Sequence, residues 1–248
     1  MIENTFLFLP KIGYGTEKRL WLDGIKHWDD FLQNRTIPRI SSERKGFYDA
    51  EIARAQSSMG RKDISYFNTT LPRREHWRLY EAFKDDALFL DIETTGLSFN
   101  CDITAITFHD SRKTDTLILG KNLSRSQILE RMKRASLLVT FYGTAFDLPF
   151  IENKFGIRFT QPHIDLCFLA RRVGLRGGLK AIERVMGIRR ETEGIDGFEA
   201  VRLWRRYVHG DCEALQTLIK YNREDTQNLC PIASKLFSEM KKKIFYSL

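Results

Sequence analysis

Two carboxylates lie two positions apart in the segment Asp91-Ile92-Glu93, directly after an apolar run at residues 88–90. Because alternate side chains of a strand point to the same face, both acids would face the same way at the end of a buried strand. Two like charges in such a place are costly unless a cation compensates them, and a hard divalent cation bound by oxygen atoms is the simplest remedy. The same pair also suits two solvated acids at a strand end.

Two further acids follow along the chain. Asp147 comes just after an apolar run and opens the next predicted helix, where the helix dipole favours a negative side chain. Asp225 lies four residues after Tyr221, so the phenol and the carboxylate share one face of a helix. Each acid alone is equally an ordinary helix residue, one in a first turn and the other on a surface.

Alternating and apolar runs predict the strands that must carry these acids. We expect strands over residues 87–93, 103–108, 114–119 and 136–141, and a short strand near residues 163–165. Helices are expected between and after the later strands. The order strand, strand, strand, helix, strand, helix predicts an α/β fold, with a mixed five-stranded sheet flanked by helices. A long last helix should begin near Leu215, and Pro231 should kink or interrupt it.

The chain divides near residues 85 and 86 into two predicted regions. Residues 1–85 are broken by charged and turn residues and predict a small, mainly helical region, whereas residues 86–248 predict the α/β domain. Helices are expected around residues 47–58 and 75–83, with another capped by Thr16. The glycines around Thr16 resemble half of a helix-hairpin-helix motif, whose glycine turn offers backbone N–H groups to a phosphate. A plain capped helix that packs on the second region is the alternative.

Composition narrows the class of protein. The chain has 248 residues and a formal net charge of +8, which favours approach to a polyanion such as nucleic acid or to an anionic membrane. Its four cysteines are far apart and form no Cys-x-x-Cys pair, so no zinc ribbon is expected. No apolar run approaches the length of a membrane span, and the amino terminus lacks the basic flank of a signal peptide. We therefore expect a cytoplasmic protein that does not associate with membranes.

The acidic motifs carry a family resemblance. The series Asp-x-Glu at Asp91, Phe-Asp before Leu-Pro-Phe at Asp147, and Tyr-x-x-x-Asp at Tyr221 occurs in this order. It resembles the three motifs of the DEDD superfamily of 3'–5' exonucleases, in its tyrosine subclass, over residues 87–240. Segments at 163–166, 178–184 and 197–204 resemble the YprB-type branch. The sequence departs from the pattern at Tyr142, where relatives often place asparagine, and Lys220 instead of histidine disfavours the histidine subclass.

This resemblance implies an RNase H-like (DnaQ-like exonuclease) fold and a set of functional residues. Four acids would bind two divalent cations, Mg²⁺ or Mn²⁺: Asp91, Glu93, Asp147 and Asp225. Tyr221 would orient or help deprotonate the attacking water. The residues that would contact nucleic acid are Thr94, Thr95, Gly96, Leu97 and Phe146. Phe146 is also a plausible core residue.

The expected function is a two-metal-ion 3'–5' exonuclease that acts on DNA, which is favoured, or on RNA. Two alternatives remain open: a structure-selective RNase H-like endonuclease, and a non-catalytic nucleic-acid-binding module. Basic residues between Arg171 and Arg206 either neutralise phosphates or form a solvated face. Asp165 and His163 lie close to the motifs, and structural use is expected for both.

Overall fold

A five-stranded sheet forms the centre of the protein. In the computed structural model, which describes residues 1–192 and 194–246, the strand order is β3-β2-β1-β4-β5. The strands are β1 Ala87–Thr94, β2 Ile103–His109, β3 Thr114–Ile118, β4 Leu137–Thr140 and β5 His163–Asp165. β2 runs antiparallel to both β1 and β3, whereas β4 runs parallel to both β1 and β5. The prediction of a mixed five-stranded sheet is confirmed.

Helices flank the sheet and make up the amino-terminal region. The α-helices before the sheet are α1 Tyr14–Leu22, α2 Trp28–Gln33, α3 Ser42–Gly60, α4 Ser65–Thr70 and α5 Tyr80–Phe83. Those that follow β3 are α6 Arg125–Met132, α7 Asp147–Phe155, α8 Leu166–Arg172, α9 Leu179–Val185, α10 Gly197–Val208 and α11 Cys212–Lys241. Short 3-10 helices cover Ile2–Asn4, Arg73–Leu79 and Lys84–Asp86, and Lys242–Tyr246 is π-helical. Residues 193, 247 and 248 of the predicted second region lie outside the described residues.

Several predicted helix boundaries are wrong. Thr16 is not a cap, because α1 begins at Tyr14 and Gly13 precedes it. The helix expected from Phe47 starts five residues earlier, at Ser42, because the Ser41 hydroxyl accepts the Arg44 N–H at 3.3 Å. α11 is not interrupted at Pro231, since it continues to Lys241. Apolar side chains on both sides of the proline are buried, and this packing holds the two halves of the helix together.

Alternation along β1 decides which face of the sheet carries the acids. Leu88, Leu90 and Ile92 belong to a core cluster with α6 and α7, whereas Ala87 and Phe89 belong to a second cluster that includes the buried face of α11. Asp91 and Glu93 continue the second series of alternate positions. They therefore lie on the face of the sheet that α11 covers.

The amino-terminal region shares that second core cluster with the sheet. Its apolar residues extend from Ile2 to Met240 of α11. The Trp77 and Phe237 rings lie 5.9 Å apart, and the Tyr80 hydroxyl lies 3.0 Å from Ser234 Oγ. Residues 1–85 thus pack directly against the last helix. None of the described helices is long and apolar enough to cross a membrane.

A buried ion-pair network ties the amino-terminal region together. Arg78 has no exposed side-chain surface and lies between two carboxylates, with Nη2 3.0 Å from Glu17 Oε2 and Nε 2.7 Å from Glu75 Oε2. Glu75 Oε1 also accepts Arg172 Nη2 at 2.9 Å, so the network reaches α8. Buried charges of this kind are tolerated because each is paired.

We expect Arg78→Ala to destabilise the protein by about 3–5 kcal/mol, because it leaves Glu17 and Glu75 buried without their shared partner. Equilibrium urea unfolding measures the loss. The matched control is Arg54→Ala. The Arg54 side chain pairs with Glu51 and is 70% exposed. Its effect should be within about 0.5 kcal/mol. Equal effects of the two substitutions would contradict the structural role of the network.

Candidate active site

Three carboxylates meet where the end of β1 faces α11. The ligand oxygens of Asp91, Glu93 and Asp225 all lie within 4.8 Å of one another. Glu93 is 8% exposed and Asp225 6%, while Asp91 is half-buried. β1 supplies the first two acids at alternate positions, and α11 supplies the third across the interface. The structure therefore brings together acids that are more than 130 positions apart in sequence.

Asp147 approaches this group from the start of α7, which follows the neighbouring strand β4. It is the first residue of α7, it is 4% exposed, and its Oδ1 accepts the backbone N–H of Ile92 at 3.2 Å. Ile92 separates Asp91 from Glu93, so the Asp147 carboxylate lies against the backbone that carries both. This follows from topology, because β1 and β4 are parallel neighbours and their carboxyl ends meet at one edge of the sheet.

Burial makes the charged forms of these acids unfavourable. It raises the pKa values of Asp91 and Glu93 well above their ordinary range, and repulsion by the other carboxylates adds to the effect. Burial also raises the pKa of Asp147 to about 7. The pKa of Asp225 is raised by burial and partly restored by the Arg190 guanidinium. The site is thus short of positive charge.

A hard divalent cation fits this deficit. The converging ligands are carboxylate oxygens, and no thiol belongs to the group among the described residues. Mg²⁺ and Mn²⁺ prefer oxygen ligands of this kind. Asp91, Glu93 and Asp225 are the residues that could hold such a cation, and Asp147 lies near enough to raise the pKa of Asp91 by repulsion.

Asn222 belongs to the site, although the sequence motifs gave it no role. Its Nδ2 donates to Asp91 Oδ2 at 2.7 Å and lies 3.5 Å from Glu93 Oε1. The side chain is fully buried, and its Oδ1 has no hydrogen-bond partner within the described part of the chain. The amide orients both β1 acids. Its position three residues before Asp225, on the same face of α11, is the signal that could have revealed it.

Arg190 is the second residue that the motifs missed. It lies in the connection between α9 and α10, and its guanidinium contacts Asp225, both oxygens of Glu183 (2.7 and 2.8 Å) and Glu224 (3.7 Å). It was expected either to neutralise phosphate or to be solvated. The solvated alternative is wrong for this arginine, because its side chain is 9% exposed and pairs with Glu183 and Asp225; contact with phosphate stays a prediction. No local motif marks it, since its partners come from elsewhere in the sequence.

Tyr221 lies beside Asp225 on α11 and is 5% exposed. Burial and the neighbouring acids Asp225, Glu93 and Asp91 raise the pKa of its phenol. The phenol therefore remains protonated and donates a hydrogen bond toward the carboxylates. Cationic groups lie against its ring, with Lys180 Nζ 4.7 Å and the Arg190 guanidinium carbon 5.6 Å from the ring centre.

The residues expected to contact nucleic acid lie around the carboxylates. Thr94 is buried, and its hydroxyl donates to the Gly96 carbonyl at 2.6 Å. Thr95 is half-buried, and its N–H donates to the Asp102 carbonyl at 2.9 Å. Leu97, at the tip of the turn after β1, is 82% exposed. Phe146 precedes Asp147 and is half-buried, with its ring 5.4 Å from that of Phe150. It therefore packs on the core and keeps one side open.

Asp165 and His163 have structural contacts. Asp165 Oδ1 accepts the N–H groups of Tyr142 at 2.9 Å and Cys167 at 3.1 Å, and its Oδ2 accepts that of Thr144 at 3.0 Å. The His163 ring lies 2.9 Å from the Thr140 hydroxyl. These bonds fix the loop between β4 and α7 and thereby the position of Asp147.

Comparison with known proteins gives a consistent picture of the fold. A family model described as RNase H superfamily matches residues 88–237. No curated protein matches this chain. A similar solved structure is the family B DNA polymerase from the hyperthermophilic archaeon Pyrobaculum calidifontis, with a TM-score of 0.50 and 15% identity over 60% of this chain and 24% of the polymerase. At this identity the likeness shows the fold alone.

Escherichia coli RNase D, an exoribonuclease involved in structured RNA processing, matches with a TM-score of 0.47 and 21% identity. The match covers 67% of this chain and 43% of RNase D. The chain therefore matches less than half the length of either protein.

We expect Arg190→Gln to make the site more responsive to cations, because Arg190 competes for the Asp225 carboxylate. In EDTA the variant should unfold at a lower temperature than the wild type, since Glu183 and Asp225 lose their partner. Its stabilisation by added Mn²⁺ should be larger, because ligands that bind the folded state raise its stability. Thermal unfolding with and without Mn²⁺ measures both.

The matched control is Arg189→Gln, which removes the adjacent exposed arginine. It should leave the response to Mn²⁺ unchanged. A response of Arg190→Gln equal to or smaller than that of the wild type would refute the competition between the arginine and the cation.

Proposed function

This chain belongs to the RNase H superfamily, and from that premise we propose that it is a metal-dependent nuclease that hydrolyses phosphodiester bonds of nucleic acid. The observation that carries the proposal is the convergence of Asp91, Glu93 and Asp225 within 4.8 Å, in a largely buried place where Arg190 compensates Asp225 and the pKa values of Asp91 and Glu93 stay raised. A fold by itself does not assign an activity. Three converging carboxylates, however, can bind the divalent cations that phosphodiester hydrolysis uses. The net charge of +8 supports a polyanionic substrate.

The site would hold two divalent cations, Mg²⁺ or Mn²⁺, on Asp91, Glu93, Asp147 and Asp225. When bound, such ions lower the pKa of water and stabilise the charge of the attacking and leaving oxygens of a phosphodiester. The chain's own residues hold the ligands in place. Asn222 orients Asp91 and Glu93 through its amide, and the Ile92 N–H orients Asp147.

Tyr221 would orient the attacking water. Burial and the neighbouring acids raise the pKa of its phenol, which favours a hydrogen-bond donor at this position, and Asp225 is the acceptor beside it. Bound divalent cations would lower that pKa, so orientation of the water and help with its deprotonation both belong to the proposal.

We further propose the 3'–5' exonuclease mode, the tyrosine subclass and the YprB-type branch. The support is the order of the three acidic motifs and the presence of Tyr221 four residues before Asp225. The turn from Thr94 to Leu97 and the Phe146 ring would contact the terminal nucleotide. The 82% exposure of Leu97, four residues after Glu93, supports this part of the proposal. DNA is the favoured substrate, and RNA is the alternative.

Two substitutions test the site. Asp91→Asn should lower the cleavage rate by about 10³-fold or more, because it removes a ligand charge that is worth several kcal/mol in the transition state. Tyr221→Phe should lower it by about 10²-fold, the usual contribution of a single positioned donor. Asp85→Asn is the control, since this exposed acid precedes the opposite end of β1. Wild-type rates in purified Asp91→Asn protein would show the site assignment to be incorrect.

The mode of cleavage requires a separate measurement. End-labelled single-stranded and duplex DNA and RNA are digested with Mg²⁺, Mn²⁺ or EDTA. Cleavage that depends on the cation and shortens strands only from the 3' end is the expected result. Internal cuts would favour the structure-selective endonuclease. If no substrate is cleaved, the nuclease proposal fails and a binding module remains.

A further inference from the structure

A cleft lies along β5, and Asp165 at the carboxyl end of that strand is one of its lining residues. It encloses a cavity of about 680 Å³ between residues 73–77 of the amino-terminal region, the start of α7 and α8. Four arginines line it: Arg73, Arg74, Arg158 and Arg172. The aromatic residues Trp77, Phe159 and Phe168 line it as well. We call this feature the β5 cleft.

The charge of the β5 cleft suits an anion. Of its two carboxylates, Glu152 pairs with Arg158 at 3.1 Å, and Asp165 is occupied by three backbone N–H groups. Arg73 and Arg74 remain at exposed positions on its rim. Arg172 pairs with Glu75 at 2.9 Å, so the positive charge of the cleft comes from Arg73 and Arg74, whereas the acidic group at the end of β1 is negative. A positively charged surface next to the proposed acidic metal site would attract a phosphate backbone and steer it toward that site.

Two exposed aromatic rings are associated with the β5 cleft, because Phe168 lines it and Tyr142 lies next to Phe168. Tyr142 is 46% exposed and Phe168 40%, and their ring centres are 6.1 Å apart. The Arg171 guanidinium lies 5.3 Å from the Phe168 ring centre. Exposed aromatic rings together with arginines are the elements on which unpaired bases stack, largely without regard to sequence.

The backbone is strained where it presents Tyr142. This residue has φ = +67°, in the left-handed region that bulky side chains rarely adopt. Asp165 holds its N–H, and the next residue must be glycine because a Cβ there would collide with the Thr140 side chain. Strain of this kind persists only where surrounding contacts enforce it, and it concentrates at functional sites. The loop is therefore built to point an aromatic ring outward.

The β5 cleft is within reach of the catalytic group. β5 is separated from β1 only by β4, and all three run parallel, so their carboxyl ends share one edge of the sheet. Neighbouring strands are about 4.8 Å apart, which places the end of β5 about 10 Å from that of β1. A nucleic-acid strand whose end lies at the carboxylates would therefore reach the cleft within a few nucleotides.

We propose that the β5 cleft binds the unpaired segment of the nucleic-acid strand whose end is being cleaved. Tyr142 and Phe168 stack its bases, and arginines on the rim, Arg73 among them, contact its phosphates. Base faces within a duplex are already stacked on each other, so this surface selects single strands or single-stranded tails. The proposal rests on the proposed function, because it assigns the substrate class of the same site.

Binding without cleavage tests the proposal. Fluorescence anisotropy in EDTA measures the affinity for labelled oligothymidylate and oligouridylate of about 12 nucleotides, within the usual range of single-strand site sizes. Tyr142→Asn and Phe168→Ala should each weaken binding by about tenfold. Asparagine is chosen because it tolerates the left-handed backbone.

Arg73→Gln should weaken binding and reduce its salt dependence by about one phosphate contact. The two oligonucleotides show whether deoxyribose or ribose is preferred.

Two controls separate stacking from structural damage. Phe47→Ala removes a 49% exposed ring of α3 and should leave affinity unchanged. Tyr142→Phe keeps the ring and should bind like the wild type. Weak binding by Tyr142→Phe, or an equal loss of affinity for a blunt duplex in Tyr142→Asn, would overturn the stacking assignment.

A second readout separates this proposal from the proposed function. Hydrolysis of bis(p-nitrophenyl) phosphate with Mn²⁺ requires the carboxylates but offers no nucleobase, so Tyr142→Asn and Phe168→Ala should retain it. If the wild type cleaves nucleic acid and both variants bind single strands normally, the β5 cleft proposal fails alone. If the wild type cleaves nothing while the variants lose affinity for single strands, the nuclease proposal fails and the binding site stands.

Discussion

Electrostatic repulsion among buried carboxylates is the constraint that organises this protein. Asp91, Glu93 and Asp225 converge within 4.8 Å, and Asp147 lies against the backbone between the first two. Water would screen such charges, but the packing of α11 on the sheet removes most of it. Only a few groups offset the repulsion, chiefly the Asn222 amide and the Arg190 guanidinium. A cluster that is unfavourable without a cation becomes favourable with one, which is the physical basis of the metal site proposed above.

The fold supplies this constraint through the ends of its parallel strands. β1, β4 and β5 deliver their carboxyl ends to one edge of the sheet, and each end carries an acid or leads to one. The acids differ in use because their surroundings differ. Asp91 and Glu93 face α11 with few donors, whereas Asp165 accepts three backbone N–H groups and fixes the loop that leads to Asp147. Asp165 thus positions Asp147, one of the acids of the proposed metal site.

The amino-terminal region is joined to this edge of the sheet by packing and by charge. Its 3-10 helix Arg73–Leu79 carries Trp77, which packs on α11, and Glu75, which binds Arg172 of α8. The same segment forms one wall of the β5 cleft. The buried Arg78 network therefore supports both the shared core and the position of arginines near the catalytic group. Under the proposals made above, the region contributes to substrate binding through this cleft, and the helix-hairpin-helix element stays a prediction.

The sequence by itself determined the local elements and the donor types. Strand periodicity placed Asp91 and Glu93 on one face, helical spacing joined Tyr221 to Asp225, and the order of runs predicted a mixed five-stranded sheet. These features depend on neighbours within a few residues, so spacing reveals them. The end of α11 could not be predicted in this way, because burial of its apolar face overrides the local effect of Pro231.

Only the tertiary structure decided which distant groups share the site. Asn222 reaches Asp91 across 131 positions and Arg190 reaches Asp225 across 35, and no local pattern encodes either contact. Likewise, the sequence showed Tyr142 only as a departure from a family motif. The structure shows that its backbone is strained and that its ring lies next to that of Phe168. Burial sets the pKa values of the acids, and burial is a property of packing between elements. For that reason the spacing of residues in the sequence identifies candidate ligands, whereas the tertiary structure determines their charge state and the residues they contact.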